Sequence, residues 1–298
     1  MSKTKSEVME IARKYQLEIL EDSLDFNESG LDFLAVFAKD SLGNEWVLRF
    51  PRREDVAQEL HYEKKILDFV NSHINFQAPK WEVFEPDLIA YKKLDGVPMG
   101  TIDHSIGTYV FEMDIENIPP IFYDSLAKVL VNLHNIPLEA ASLTGFEALE
   151  IADVKADLNR RMELIKETFG VGDSLWERWQ KWLNTDDLWG ERTAFVHGEV
   201  HPGHVLINEN QEVVGLIDWT ESKVGDIATD FVVFFLLLGE SGLDVLITAY
   251  ERAGGYVWDK MKEHIIELAA ITPLTVAEFA LKSGLYEYAQ MAKLMLEV

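Results

Sequence analysis

The chain has 298 residues, of which 48% are hydrophobic and 11% aromatic, and it contains 52 acidic but only 27 basic side chains. The apolar content is sufficient for a sizeable core, which excludes a disordered chain. The formal charge of −25 argues against binding to nucleic-acid phosphates or to anionic membranes. Because cysteine is absent, disulfides, thiolate metal sites and cysteine nucleophiles are excluded.

The sequence favours a soluble protein. Residues 1–16 are polar and charged and hold no signal-peptide core, and the longest apolar run, residues 231–238, is too short to span a bilayer. We therefore predict a cytoplasmic protein and expect a monomer. The acidic residues are concentrated in the second part of the chain, where residues 101–298 hold 33 acidic and 14 basic side chains. This excess can serve solubility alone, or it can steer a cationic ligand to a cleft.

The first third of the chain combines short extended segments with two helices. Helical periodicity covers residues 6–17 and 54–71. Five segments favour strands, and turn residues separate the first three: residues 20–26, 31–38, 45–50, 80–84 and 88–94. This order predicts a small antiparallel sheet with a long helix beside it.

After residue 96 the pattern is mainly helical. Helical periodicity is found in four places: residues 123–134, 153–168, 174–183 and from 230 onwards. A polar stretch at residues 193–221 interrupts these helices and includes strand-like pieces at 205–208 and 213–219. We predict an α+β fold with two lobes and a cleft between them, the usual location of a binding site.

The densest cluster of reactive side chains is the polar stretch from His197 to His204, with the sequence HGEVHPGH, followed by Asp218 at the end of an apolar strand. Its glycines and proline prevent a helix. Loops that a scaffold holds in place commonly carry catalytic residues. We therefore expect the functional site here.

Two kinds of chemistry fit this cluster. A zinc site could use His197, His201 and His204, but the loop lacks the helical H-E-x-x-H spacing of zinc hydrolases. Phosphoryl transfer needs a carboxylate that accepts the proton of the attacking hydroxyl, and ligands for Mg²⁺. Glu199 would supply the first, and His204 with Asp218 the second. For His197 alone we favour a structural role.

The motifs follow the order found in antibiotic kinases. The HGEVHPGH segment resembles the family's H-G-D-x-x-x-x-N loop, the IDW at 217–219 resembles its I-D-W, and histidine in place of the asparagine is similar to macrolide 2′-phosphotransferases. Further segments resemble the family in the same order: NESGLD at 27–32, WVLRFPRR at 46–53, YKKLDG at 91–96, LHNIP at 133–137 and GDIATDF at 225–231.

The resemblance implies a two-lobed protein-kinase-like fold, with a small antiparallel-sheet N-lobe at residues 1–95, a hinge near 89–96 and a larger helical C-lobe at 96–298. It also implies transfer of the γ-phosphate of GTP or ATP to the 2′-hydroxyl of a macrolide, which inactivates the antibiotic, with Mg²⁺ as cofactor.

Glu199 stands where the family has aspartate. Its extra methylene can displace the carboxylate by about an ångström and lower the rate about a hundredfold.

Two further functions therefore stay open. A nucleotide-binding pseudokinase would explain why Glu199 replaces the family's aspartate. A kinase for another cationic small molecule, such as an aminoglycoside, would share the same motifs.

The resemblance implies that three places contact the nucleotide: the turn between the first two strands, the third strand and the hinge. Arg49 stands where kinases carry lysine, and its fork of donors suits phosphate oxygens. We expect Glu63, rather than Glu59, as its ion-pair partner. The remaining expected contacts are from the backbone: Ser29, Gly30, Ile89, Ala90 and Tyr91. Backbone contacts leave no sequence signature, so guanine and adenine are not distinguished.

The acceptor pocket has the weakest sequence signal. A macrolide needs apolar walls and a few carboxylates. The candidates are aromatic and acidic residues of the last third, which also fit a helical core with exposed acids, and for each aromatic taken singly we favour the core: Phe234, Phe235, Glu278, Phe279 and Tyr286. We expect Asp226 and Asp230 to brace the catalytic loop by hydrogen bonds rather than to contact substrate.

Overall fold

A computed structural model describes residues 3–28, 33–52, 57–103 and 108–298, with the side chains of residues 57–59 left out. Its first lobe contains two helices, α1 (Lys5–Lys14) and α2 (Ala57–Asn71). Five strands form one antiparallel sheet in the order β1-β2-β3-β5-β4. Their bounds are β1 (Asp25–Asn27), β2 (Phe33–Lys39), β3 (Glu45–Pro51), β4 (Trp81–Glu85) and β5 (Leu88–Lys92).

Strand alternation gives this sheet two different faces. On one face, apolar side chains such as Leu34, Val36 and Leu48 pack against Val8 and Met9 of α1. Helix α1 begins at a capping box in which Thr4 and Glu7 satisfy each other's backbone amides. The opposite face of the sheet, which includes Arg49 and Tyr91, faces α2 and the cleft.

The second lobe is mainly helical. Its helices are α3 (Pro120–His134), α4 (Leu138–Leu143), α5 (Ile151–Phe169), α6 (Asp173–Leu183), α7 (Val232–Arg252), α8 (Met261–Ala269), α9 (Thr272–Ser283) and α10 (Tyr286–Met295). Short strands accompany them: β6 (Val97–Pro98), β7 (Gly100–Asp103), β8 (Thr108–Phe111), β9 (Ala194–Val196), β10 (Val205–Ile207), β11 (Val213–Leu216) and β12 (Lys223–Gly225). Helices α3 and α7 pack together over the main core. The predicted α+β architecture is confirmed.

Two small sheets hold the polar stretch in the second lobe. Strand β10 pairs with β11 and with β6, and β9 pairs with β12. The loop at 197–204 therefore joins β9 to β10, each of which is paired in its own sheet, and Asp218 is the second residue after β11. The chain that leaves the first lobe, β6, is hydrogen-bonded to the strand that follows this loop.

One local prediction was wrong, and one element was not predicted. The strand predicted at 20–26 begins only at Asp25, because residues Glu21–Ser23 form a 3₁₀ turn in which the Ser23 hydroxyl donates to the Leu20 carbonyl. The β7–β8 hairpin was missed altogether, since its four-residue strands are too short for a clear period.

Two segments, Ile227–Arg252 and Met261–Ser283, are long and apolar enough to cross a membrane by length and composition alone. They were not predicted from the sequence, because only the longest uninterrupted apolar run was considered there. In the fold, α7 has a non-helical residue at Gly239, with φ 67° and ψ −170°. Its Phe234, Leu243 and Leu246 are buried in the main core, so this face of α7 packs as a core helix.

Candidate active site

The loop at 197–204 is fixed by a buried carboxylate. Asp230 accepts hydrogen bonds from the backbone amides of His197 at 3.0 Å and Gly198 at 2.7 Å, and from His134 Nε2 at 2.9 Å. Gly198 is required because its φ is +87° and an added Cβ would lie 2.5 Å from the Glu221 carbonyl oxygen. The bracing role expected for Asp230 is confirmed.

Asp226 has a different role from the one expected. One of its oxygens accepts from the Ala228 amide and caps the 3₁₀ helix Ile227–Phe231, while the other accepts from His264 Nε2 at 2.6 Å. It therefore positions the segment that carries Asp230 and does not bond to the loop through these contacts.

His197 is a structural residue, as the sequence favoured. It is fully buried, its Nε2 donates to the Ile217 carbonyl at 3.2 Å, and its Nδ1 accepts from the Glu199 amide at 3.3 Å. Burial lowers its pKa to about 4, so the ring is neutral near pH 7. With both nitrogens engaged, His197 does not offer a lone pair to a metal, and it ties the loop to the chain before Asp218.

His204 has the hydrogen bonding of a metal ligand. Its Nδ1 donates to the Glu199 carbonyl at 3.1 Å, and its Nε2 lies 3.6 Å from Asp218 Oδ2. Because a carbonyl only accepts, the ring proton is on Nδ1 and the lone pair of Nε2 faces Asp218. A carbonyl partner that fixes the tautomer is typical of metal-bound histidines. This nitrogen and carboxylate fit one divalent cation.

The conformation of Asp218 also indicates a functional position. Its φ of +62° is unusual for a residue with a side chain, and such backbone strain is concentrated at functional sites. Burial alone would raise the pKa of Asp218, but His204, the hydrogen bond from the Thr220 hydroxyl at 2.8 Å and the charge of Arg49 together lower it. The carboxylate is therefore ionised at neutral pH.

Glu199 projects from the same loop, and its Oε2 lies 3.9 Å from His204 Nδ1. Nearly half of its side chain is exposed. Loss of solvation around the carboxyl group, and the charges of Asp218 and Glu221, raise its pKa to about 7. A raised pKa suits a group that exchanges protons near neutral pH.

His201 completes the cluster but has a different hydrogen-bond pattern. Ligand atoms of Glu199, His201 and His204 all lie within 4.8 Å of one another. However, His201 Nδ1 accepts from the Gly203 amide at 3.0 Å, so its proton is on Nε2. Among the three imidazoles only His204 keeps a free lone pair, which does not suit the three-ligand zinc centre considered from sequence.

In the first lobe, Arg49 pairs with Glu63 as expected. Arg49 Nη1 lies 3.0 Å from Glu63 Oε1, and Glu63 is only 2% exposed. The guanidinium group stacks on the Phe33 ring at 4.2 Å. The alternative partner, Glu59, has a side chain outside the described residues.

The expected hinge contacts require correction. Ile89 and Ala90 lie inside β5, where they pair with β3 on one side and β4 on the other, so the sheet uses their main-chain groups. Tyr91 differs, because its side chain shares the cleft face with Arg49, and burial raises its pKa to about 12. Ser29 and Gly30 lie outside the described residues.

The expected acceptor residues do not form one pocket. Phe234 is 1% exposed and packs against Phe122, and Phe235 also packs on the main core. Arg161 holds Glu278 through two hydrogen bonds of 2.7 Å. Phe279 packs against Tyr288, with ring centroids 4.6 Å apart, and Tyr286 is 75% exposed on α10. The prediction of a shared pocket was wrong because it grouped these residues by their chemical type, whereas the helix faces on which they lie point to different surroundings.

The sequence missed Tyr109, which the β7–β8 hairpin brings to the loop. Its hydroxyl lies 3.1 Å from His201 Nδ1. The run of strand-favouring residues Thr-Tyr-Val-Phe at 108–111 was the available signal, but it is only four residues long.

Comparison with known proteins identifies the family. The model of the phosphotransferase enzyme family, APH, matches residues 23–264, and the chain belongs to this family. It is 39% identical over 287 residues to the uncharacterized protein YcbJ of Bacillus subtilis (strain 168), covering 96% of this chain and 94% of that protein.

Solved structures with the same fold include two macrolide 2′-phosphotransferases. Apo MphH from Brachybacterium faecium has a TM-score of 0.91 at 30% identity, covering 98% of this chain and 97% of that one. Macrolide 2′-phosphotransferase type I has a TM-score of 0.89 at 33% identity, covering 99% of each chain. The GDP complex of aminoglycoside 2′-phosphotransferase-IIIa, at 19% identity, TM-score 0.74 and coverage of 99% and 98%, shares the fold.

Proposed function

We propose that this protein transfers the γ-phosphoryl group of GTP to the 2′-hydroxyl of a macrolide. The observation that carries the proposal is that Glu199 and the free Nε2 of His204, both on one braced loop, lie close to Asp218, which follows β11. The similarity to two macrolide 2′-phosphotransferases supports this acceptor, and GTP is the donor that the resemblance of the sequence motifs implies.

In this reaction each residue has a distinct role. Glu199 accepts the proton of the 2′-hydroxyl while the hydroxyl oxygen bonds to the γ-phosphorus, and the bond to the β-phosphate oxygen breaks to release GDP. His204 and Asp218 would hold Mg²⁺, which neutralises charge on the phosphates. Arg49, kept in place by Glu63, contacts the phosphates from the first lobe. We place the boundary between the nucleotide-binding and acceptor-binding lobes at residues 95 and 96.

Calorimetric titration of GTP with and without Mg²⁺ tests the nucleotide half of this proposal. The parent should bind GTP more tightly with Mg²⁺. Asp218→Asn should lose that increment, because a neutral amide is a weaker ligand for a hard cation. Asp187→Asn, which changes an exposed acid of the same lobe, is the matched control. An increment that persists in Asp218→Asn would remove Asp218 from the metal site.

Arg49→Met should lower the free energy of unfolding by about 3–5 kcal/mol, because Glu63 is left buried without its partner. The double variant Arg49→Met/Glu63→Leu should recover much of that stability, since an apolar pair can replace a buried ion pair. Denaturant unfolding measures both.

GTP affinity in these variants shows whether Arg49 binds the nucleotide or serves only the stability of the fold. It should stay at least about tenfold weaker in the stable double variant than in the parent, because the phosphates lose a charge-assisted contact. Parent-like affinity in the double variant would show that Arg49 serves stability alone.

A further inference from the structure

The β7–β8 hairpin is anchored beside the catalytic loop. Gly100 N donates to the Pro202 carbonyl at 3.1 Å, at the base of the hairpin. Further along, the Tyr109 hydroxyl meets His201 Nδ1 at 3.1 Å. The hairpin is therefore attached to the loop that carries Glu199 at two points.

The register of the hairpin determines which side chains face that loop. Ile102 pairs with Tyr109 and Gly100 pairs with Phe111, so these residues share one face, whereas Val110 lies on the other. The rings of Tyr109 and Phe111 are 5.6 Å apart. Because the Tyr109 hydroxyl reaches His201, the shared face is the one next to the catalytic loop. Ile102 is 51% exposed on it.

We infer that Ile102, Tyr109 and Phe111, here called the hairpin ledge, form the wall that receives the apolar ring of the acceptor and so determine acceptor specificity; this inference rests on the proposed function. The ledge combines the exposed side chain of Ile102 with the partly buried rings of Tyr109 and Phe111, and of the three Tyr109 lies close to Glu199. Apolar side chains with a few placed polar groups are typical of small-molecule sites.

The charges around the ledge complement one kind of acceptor. Glu199 and Glu221 lie close enough to each other for their charges to interact, and Tyr109 lies close to Glu199. A macrolide has a large apolar ring and one cationic amino group next to its 2′-hydroxyl. It would place the ring on the ledge and the amine among the carboxylates. An aminoglycoside has several cations and no large apolar face, so it would leave Ile102 against polar groups.

Two variants separate the ledge from the rest of the hairpin. Ile102→Ala should raise the erythromycin KM and calorimetric Kd about tenfold, since it removes apolar contact area. Val110→Ala is the matched control, because Val110 is 47% exposed but lies on the opposite face. GTP affinity, measured in each variant, shows that the nucleotide site is intact.

The outcomes distinguish this inference from the proposed function. A larger KM in Ile102→Ala than in Val110→Ala, with unchanged GTP affinity, supports the ledge. If the parent phosphorylates erythromycin but Ile102→Ala retains the parent's KM, or if both alanine variants change it equally, the ledge is overturned and the function stands. If the parent neither binds nor phosphorylates any macrolide, both fall.

Discussion

Glu199→Gln is expected to lower turnover of a macrolide by at least about a hundredfold, the usual size of a general-base contribution. Glutamine keeps the size of the side chain but has no anionic oxygen to accept the proton of the 2′-hydroxyl. GTP and Mg²⁺ should still bind, because His204 and Asp218 are unchanged. Single-turnover kinetics at saturating GTP, together with calorimetric GTP affinity, measure the two effects separately.

Glu199→Asp is the informative companion variant. If the loop backbone holds the carboxylate as in the related motif, the shorter side chain should raise turnover and leave GTP affinity nearly unchanged. A slower Glu199→Asp would mean that this loop is built around glutamate. If the parent and both variants were equally inactive on every acceptor tested, the protein would be a nucleotide-binding pseudokinase instead.

Asp230→Asn should cause the largest loss of stability among the loop variants, about 3 kcal/mol, because hydrogen bonds to a buried charged group are strong. The amide cannot accept from both backbone amides and from His134 as the carboxylate does. Turnover should fall as well, since the His197–Gly198 segment loses its brace. Denaturant unfolding and single-turnover rates measure the two losses.

The effect of Asp230 on stability should depend on pH. Burial opposes ionisation, but His134, His197 and the backbone amide of His197 together lower the pKa of Asp230. A lowered pKa adds stability above the ordinary value of about 4, and this contribution disappears as the pH falls through the lowered pKa. The stability difference between parent and Asp230→Asn should therefore shrink in acid.

Tyr250→Phe is the control for this network. It removes only the hydroxyl that meets His134 Nδ1 at 2.8 Å and leaves the bonds from Asp230 to the loop intact. It should cost less stability and little turnover. Equal losses in the two variants would mean that Asp230 acts through the helix core and not through the loop.

The ordered motifs predicted more of this molecule than the periodicities did. Glu63 was paired correctly with Arg49 because the helix after the third strand was expected to supply a carboxylate. Asp226 and Asp230 were both assigned as braces from their place after the IDW segment, and this holds for Asp230. These features follow from chain order, which a sequence shows directly.

The acceptor side could not be predicted in the same way. Phe234 and Phe279 have the composition of a pocket, but only the packing of α7 and α9 reveals that the first is core and the second packs on Tyr288. Tyr109 reaches His201 across 92 positions of the chain through a hairpin too short to recognise. The tautomers of His197, His201 and His204 likewise depend on partners brought together by the fold.

The most direct test of the central claim is the structure of the product. Purified protein is incubated with Mg²⁺, GTP and erythromycin, and in parallel with kanamycin, and the products are analysed by mass spectrometry and by phosphorus–proton correlated NMR. The account predicts GDP together with a monophosphorylated macrolide whose phosphorus couples to the proton at the 2′ position, and at least about a hundredfold less product per unit time with Glu199→Gln. Phosphorylation of kanamycin alone, or tight GTP binding with every acceptor unchanged, would contradict it.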